Sequence, residues 1–244
     1  MKIIDLTLPL YNGIPAGYAH PAFKAHPLWP ESHKTTETFS YEPGMGADAL
    51  SAGMRFHVYT IFCEPGTRFI MSSFRKQFKD EATLDTVDMN KLIFRDAVII
   101  DIPKADDEIV EADEFEAAFK KAPYQEGDAL LIRSGWGDNQ KYLKMGRLWS
   151  DNGPHFNAGS AERLMDIMEA NGTDMWLYDL CDIAGLDKKT GKRGGFAIRS
   201  GMLAVGGVVN CGAITKPRVK LMIMPLKAKG GHMAPCSVVA LEED

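Results

Sequence analysis

The side chains of this chain that could attack a carbon, carry a proton or hold a metal are scattered rather than grouped. Its four cysteines are Cys63, Cys181, Cys211 and Cys236, and no two form a CxxC pair. That excludes a zinc knuckle or a thioredoxin-like dithiol. Cys63 and Cys211 have no activating partner beside them in sequence and read as buried thiols. Ser72 and Ser73 lack the glycines of a nucleophile elbow, which makes them weak nucleophiles. His20 and His26 each precede a proline and shape an extended stretch, with Tyr18, Phe23 and Trp29 available to line a pocket or pack an oligomer contact. His57 falls in an alternating apolar run and reads as a core or interface histidine. His232, after Gly230-Gly231, is open to two readings, a solvated loop residue or a base. Asp179, at a strand end, is the best-placed second carboxylate, with Asp182 the alternative as the exposed one.

The elements that must position these groups are read from periodicity. Ile3 to Leu10 is a first strand, closed by Pro9 and the turn-forming Asn12-Gly13. Arg55 to Cys63 alternates as a strand, while Ala97 to Ile102 and Ala129 to Arg133 are short apolar runs suited to buried strands. Ala112 to Lys121 opens on acids and closes on lysines, as the helix dipole favours. Gly159 to Asn171 aligns Ala161, Leu164, Met165 and Met168 on one stripe and stops at Gly172. Strands are expected at Met175 to Leu180, Met202 to Val209, Val219 to Met224 and Cys236 to Leu241. Strands outnumber helices, which predicts an α/β protein with a mixed sheet rather than a doubly wound one.

Composition removes several function classes. Apolar content of 45% with 25% charged residues is ordinary for a globular domain, and no linker or low-complexity run divides residues 1–244, so one domain is expected. The net charge is −5, and the densest basic run, Lys188, Lys189, Lys192 and Arg193, flanks Gly191 as a solvated loop. Nucleic-acid partners are not expected, since they call for concentrated positive charge. No export signal or 18-residue apolar run is visible, which predicts a cytoplasmic, membrane-free protein with free thiols and a small-molecule substrate.

Four segments, taken in order, resemble the cyclase family that includes bacterial kynurenine formamidase and isatin hydrolase. They are Asp5-Leu6-Thr7-Leu8-Pro9-Leu10, then Glu126-Gly127-Asp128 through Ser134-Gly135-Trp136, then Tyr178-Asp179, and finally Pro225-Leu226-Lys227 with Gly230-Gly231 and Pro235. The resemblance implies a swivelling β/β/α fold with a mixed, strand-rich core. It also implies a homo-oligomer in which residues of a neighbouring subunit approach the site, with the Tyr18 to Trp29 stretch near the boundary.

The family's signature is His-x-Gly-Thr-His-x-Asp-x-Pro-x-His, in which two His and the Asp bind zinc or manganese and the last His is a base. The matching stretch here runs from Glu64 to Phe74. It keeps Gly66 and Thr67, but Glu64 and Arg68 stand for the two histidines, Ile70 for the aspartate, Ser72 for the proline and Phe74 for the base. Two further family ligands fall opposite Arg199 and either Asn210 or Cys211. Neither guanidinium nor alkyl can ligate a cation, so no metal cofactor is expected on this pattern. A replacement metal site built from Glu64, His57 and His232 is the remaining alternative.

The resemblance therefore assigns catalysis to Glu64, His232 and Asp179, and substrate binding to Arg68, Arg199, Ser72, Tyr18 and Trp29. Arg68 either pairs with Glu64 to fill the vacated site or clamps an anionic substrate while Glu64 moves protons. Three readings follow: a metal-independent hydrolase of a small anionic amide, ester or lactone, a lyase or isomerase of a small carboxylate, or an inactive ligand-binding relative. Elemental analysis of the purified protein should find no stoichiometric zinc or manganese. About one such ion per chain, lost together with activity on chelation, would overturn the expectation.

Overall fold

The computed structural model describes residues 1–11, 14, 24–28, 56–60, 63, 66–180, 186–187, 192–193 and 197–243. In chain order the strands and helices are β1 (Lys2–Asp5), β2 (Lys24–Leu28), β3 (Phe56–Thr60), β4 (Arg68–Met71), β5 (Ile93–Asp101), β6 (Ile109–Val110), α1 (Ala112–Lys121) and β7 (Ala129–Arg133). They continue through α2 (Lys141–Met145), α3 (Arg147–Asp151), β8 (His155–Phe156), α4 (Ala158–Ala170), β9 (Met175–Tyr178), β10 (Leu186–Asp187) and β11 (Lys192–Arg193). The last are β12 (Leu203–Gly206), β13 (Arg218–Pro225) and β14 (Met233–Glu242).

Eight strands form one sheet in the order β1-β14-β13-β5-β7-β9-β12-β4, and β4 also pairs with β14. Seven strands thus close into a barrel, with β1 added on β14. The run β5-β7-β9-β12 is parallel and the remaining pairings are antiparallel, giving the mixed sheet that the sequence predicts. Three two-stranded sheets, β2-β3, β6-β8 and β10-β11, lie outside it.

Because side chains alternate along a strand, the barrel sorts its residues into two cores. One face of all seven strands, including Phe69, Met71, Leu131, Leu177, Val205, Leu221 and Val238, fills the interior. The opposite face of five strands, including Ile70, Ala204, Trp176, Ile132 and Val98, packs beneath Leu164, Met165 and Met168 of α4 and Phe115 of α1. α4 begins on Asn157, whose side chain accepts from the Ser160 amide at 2.8 Å, and its chain turns off at Gly172 with φ +68°. Among the described residues, no helix is long and apolar enough to cross a membrane.

α1 spans the residues that the charge pattern predicts, and β7 likewise. Three strands, β1, β9 and β12, come out shorter than expected, two of them for clear local reasons. β1 stops at Asp5 because the Leu8 amide turns to the Thr67 hydroxyl at 2.7 Å. β12 stops at Gly206 because Gly207 takes φ +71°. β4 carries no strand signal in sequence, and its four residues read only as part of a motif.

Candidate functional site

The stretch from Gly66 to Phe74 forms a turn, the strand β4 and a short 3-10 turn over Ser72–Phe74. Gly66 adopts φ +75°, which only glycine takes without strain. Thr67 is buried and ties three segments together. Its hydroxyl donates to the Gly207 carbonyl at 2.8 Å and accepts from the Leu8 amide, while its carbonyl accepts from the Cys236 amide at 3.0 Å. The retained Gly-Thr pair is thus a structural clasp at the head of β4.

Arg68 follows at once and is only 7% exposed. In register it lies between Gly206 of β12 and Pro235 of β14, and beyond Gly206 stands Tyr178 of β9. Its charge is felt by Cys236, whose thiol burial pushes well up and Arg68 pulls partly back. Ile70, two residues on, shares the outer face with Ala204 and Trp176 and is buried in the helix-covered core. These two positions cannot form the family's metal centre: a guanidinium keeps its proton and an isoleucine has no lone pair to give.

At the far end of β4, Ser72 and Ser73 are buried and engaged. The Ser72 hydroxyl donates to the Glu81 carboxylate, which also accepts from Ser200 Oγ at 2.5 Å and from the Gly201 amide at 3.1 Å. Burial pushes the Glu81 carboxyl up, but these three hydrogen bonds outweigh it and hold it below its ordinary value. Ser73 Oγ donates to the Ala82 carbonyl at 2.7 Å and lies 3.2 Å from His232 Nδ1. A hydroxyl has one proton, and here Ala82 takes it, so His232 Nδ1 must donate. The neutral imidazole therefore carries its lone pair on Nε2, in the form a general base requires. His232 thus contacts Ser73, the residue before Phe74, which holds the position of the family base, and its carbonyl accepts from the Met71 amide.

The remaining expected residues lie apart. Arg199 spreads its guanidinium over Glu162, Asp166 and Glu169, one acidic stripe of α4, and does not join Arg68. Asp179 is fully buried beneath the turn after β7. It accepts from the Ser134 amide at 3.0 Å, the Ser134 hydroxyl at 2.6 Å and the Gly135 amide at 2.8 Å, so its observed task is to hold that turn. Glu64, Tyr18, Trp29 and Asp182 lie outside the described residues, and for His57 only the backbone of β3 is described. Sequence reasoning missed Glu81, which has no motif around it, and gave Tyr178 no role.

Burial raises the Asp179 carboxyl to about 6, against the pull of the Ser134 and Gly135 hydrogen bonds. Its folded value then exceeds its unfolded one, so folding favours the protonated acid. Its contribution to stability is greatest below about pH 4 and falls as pH rises to about 6. Chemical denaturation should show the stability difference between wild type and Asp179→Asn shrinking by roughly 3 kcal/mol across that window. A pH-independent difference would mean that Asp179 is ionised in the fold throughout.

The sequence profile of the Cyclase family matches residues 4–180. Isatin hydrolase A from Labrenzia aggregata, solved bound to benzyl benzoate, superposes with a TM-score of 0.73 at 16% identity, covering 99% of this chain and 94% of that one. Isatin hydrolase A from Ralstonia solanacearum gives 0.70 at 17% identity over 99% and 92%. A structure described as a predicted metal-dependent hydrolase from Bacillus stearothermophilus gives 0.65 at 16% identity over 98% and 97%. No curated protein matches the sequence. With the family profile covering most of its length, the chain belongs to the cyclase family, as a divergent member without that family's metal-binding motif.

Proposed function

We propose that this chain is a metal-independent hydrolase of small amides, esters or lactones that carry an anionic group. The observation that carries the reading is Arg68, a buried guanidinium at the motif position where the family has a metal-binding histidine. A guanidinium keeps its charge and presents forked N–H donors, which suit a carboxylate. The hydrolase names of the structural neighbours support the reaction class by analogy.

In this reading Arg68 anchors the anionic group through two parallel N–H donors. His232 stands at the other end of β4, about 10 Å away along a four-residue strand. Strand alternation sets the position opposite Met71 on the other face from Arg68, so the reading requires the imidazole to reach a bound ligand round the end of β4. His232 Nε2 takes a proton from the attacking water and returns it to the departing nitrogen or oxygen, so the base is regenerated. Glu64 is a second candidate for this proton transfer, on its chemistry alone. Ser72 shapes the same end of the site through Glu81.

The test is turnover of a panel of carboxylate-bearing aryl amides, esters and lactones. Wild type should hydrolyse at least one of them. Arg68→Met should lose about a hundredfold in kcat/KM, the cost of an unpaired anionic group, with little change in thermal stability. Arg68→Lys, which keeps the charge but not the fork, should fall between the two. Ligand binding without turnover by wild type would make the chain a binding relative instead. Undiminished turnover in Arg68→Met would give the guanidinium a purely structural role.

A further inference from the structure

One short segment, residues 82–85, reaches His232 by two separate routes. The first runs through a side chain. The Ala82 carbonyl takes the proton of the buried Ser73 hydroxyl at 2.7 Å, which leaves the Ser73 oxygen to accept from His232 Nδ1 at 3.2 Å. The second runs through the backbone. The Leu84 amide donates to the Gly231 carbonyl at 2.8 Å, and Asp85 Oδ1 accepts from the Gly230 amide at 2.9 Å and from the Thr83 hydroxyl at 2.7 Å. The Gly230 amide, and after it the Thr83 hydroxyl, holds the Asp85 carboxyl below its ordinary value. Gly231 is pressed against Leu84: a methyl group there would lie 2.8 Å from Leu84 Cδ1 and 3.2 Å from the Ala228 carbonyl oxygen. The His232 carbonyl is clipped in turn to the end of β4, accepting from the Met71 amide at 3.0 Å.

We propose that residues 82–85 are a positioning bracket for His232: through Ser73 they select the imidazole tautomer with its lone pair on Nε2, and through Gly230 and Gly231 they fix where that lone pair stands. The proposal rests on the reading of His232 as the base and adds what prepares it for that task. A neutral imidazole has two tautomers, and the bond made at one nitrogen chooses between them. A hydroxyl alone could either donate to Nδ1 or accept from it. The Ala82 carbonyl can only accept, and by taking the hydroxyl proton it sets the direction of both bonds. Placement matters as much, since a misplacement of about 1 Å can cost on the order of a hundredfold in rate. The two tasks are separable, because Ser73 carries the tautomer and Asp85 carries the place.

Long-range proton–nitrogen NMR correlations of the neutral imidazole read the tautomer directly, with the His232 signals identified by their loss in His232→Gln. Wild type should carry the proton on Nδ1. Ser73→Ala removes the acceptor and should shift the population toward the Nε2-protonated form. On a substrate that wild type turns over, it should also lower kcat about tenfold with little change in KM. Asp85→Ala should lower kcat while keeping the wild-type tautomer, because it releases Gly230 and leaves the Nδ1 bond alone. A wild-type His232 protonated on Nε2 would overturn the bracket, and that measurement needs no variant to fold. Persistence of the Nδ1 proton in folded Ser73→Ala would overturn it as well. A tautomer that shifts in Ser73→Ala while kcat stays at the wild-type value would sink the reading of His232 as the base and leave the tautomer assignment standing.

Discussion

β4 is four residues long and hydrogen-bonded on both edges, to β12 on one side and β14 on the other, and through it an open sheet becomes a barrel. Closure leaves β4 no freedom of register. Phe69 and Met71 must point inward and Arg68 and Ile70 outward, because a slip by one residue would exchange the two faces. Such a slip would put a guanidinium among the interior apolar side chains and strand Phe69 outside. Losing burial of one large apolar side chain alone costs about 1.5–3 kcal/mol, and the buried charge costs more. The position of Arg68 is therefore a consequence of barrel closure.

The same constraint explains what this divergent cyclase keeps and what it discards. Gly66 and Thr67 stay because they work for the fold. The glycine takes a backbone conformation that other residues resist, and the threonine joins the segments just after β1 and β12, and Cys236 within β14, to the start of β4. The flanking metal ligands had no such duty, and their places went to Arg68 and Ile70. A metal ion supplies both charge and cross-linking to a site. Here the cross-linking comes from Thr67 at one end of β4 and from the Ser72–Glu81–Ser200 clasp at the other. In the proposed reading, the positive charge comes from Arg68.

The sequence carried most of the scaffold. The charge gradient of α1, the apolar stripe of α4 and the short apolar runs of β5, β7 and β9 are local signals, and the structure follows them to within a few residues. β4 was invisible because Arg-Phe-Ile-Met has no alternation that a period-2 reading recognises, and both its faces are covered. The turn of Arg199 toward α4 was illegible too, since its three carboxylate partners lie at 162, 166 and 169, some thirty positions earlier. Glu81 meets Ser200 only because β4 and β12 are neighbours, and Tyr178 meets Gly206 for the same kind of reason. Such pairings belong to tertiary structure, and a single sequence holds no trace of them.

Chelation kinetics test most directly whether a guanidinium has taken over from a metal at this site. Wild type stripped exhaustively with chelator and assayed on a substrate that it turns over should keep its full rate. Added zinc or manganese should not raise that rate. A rate that vanishes on stripping and returns with one equivalent of either ion would contradict the account.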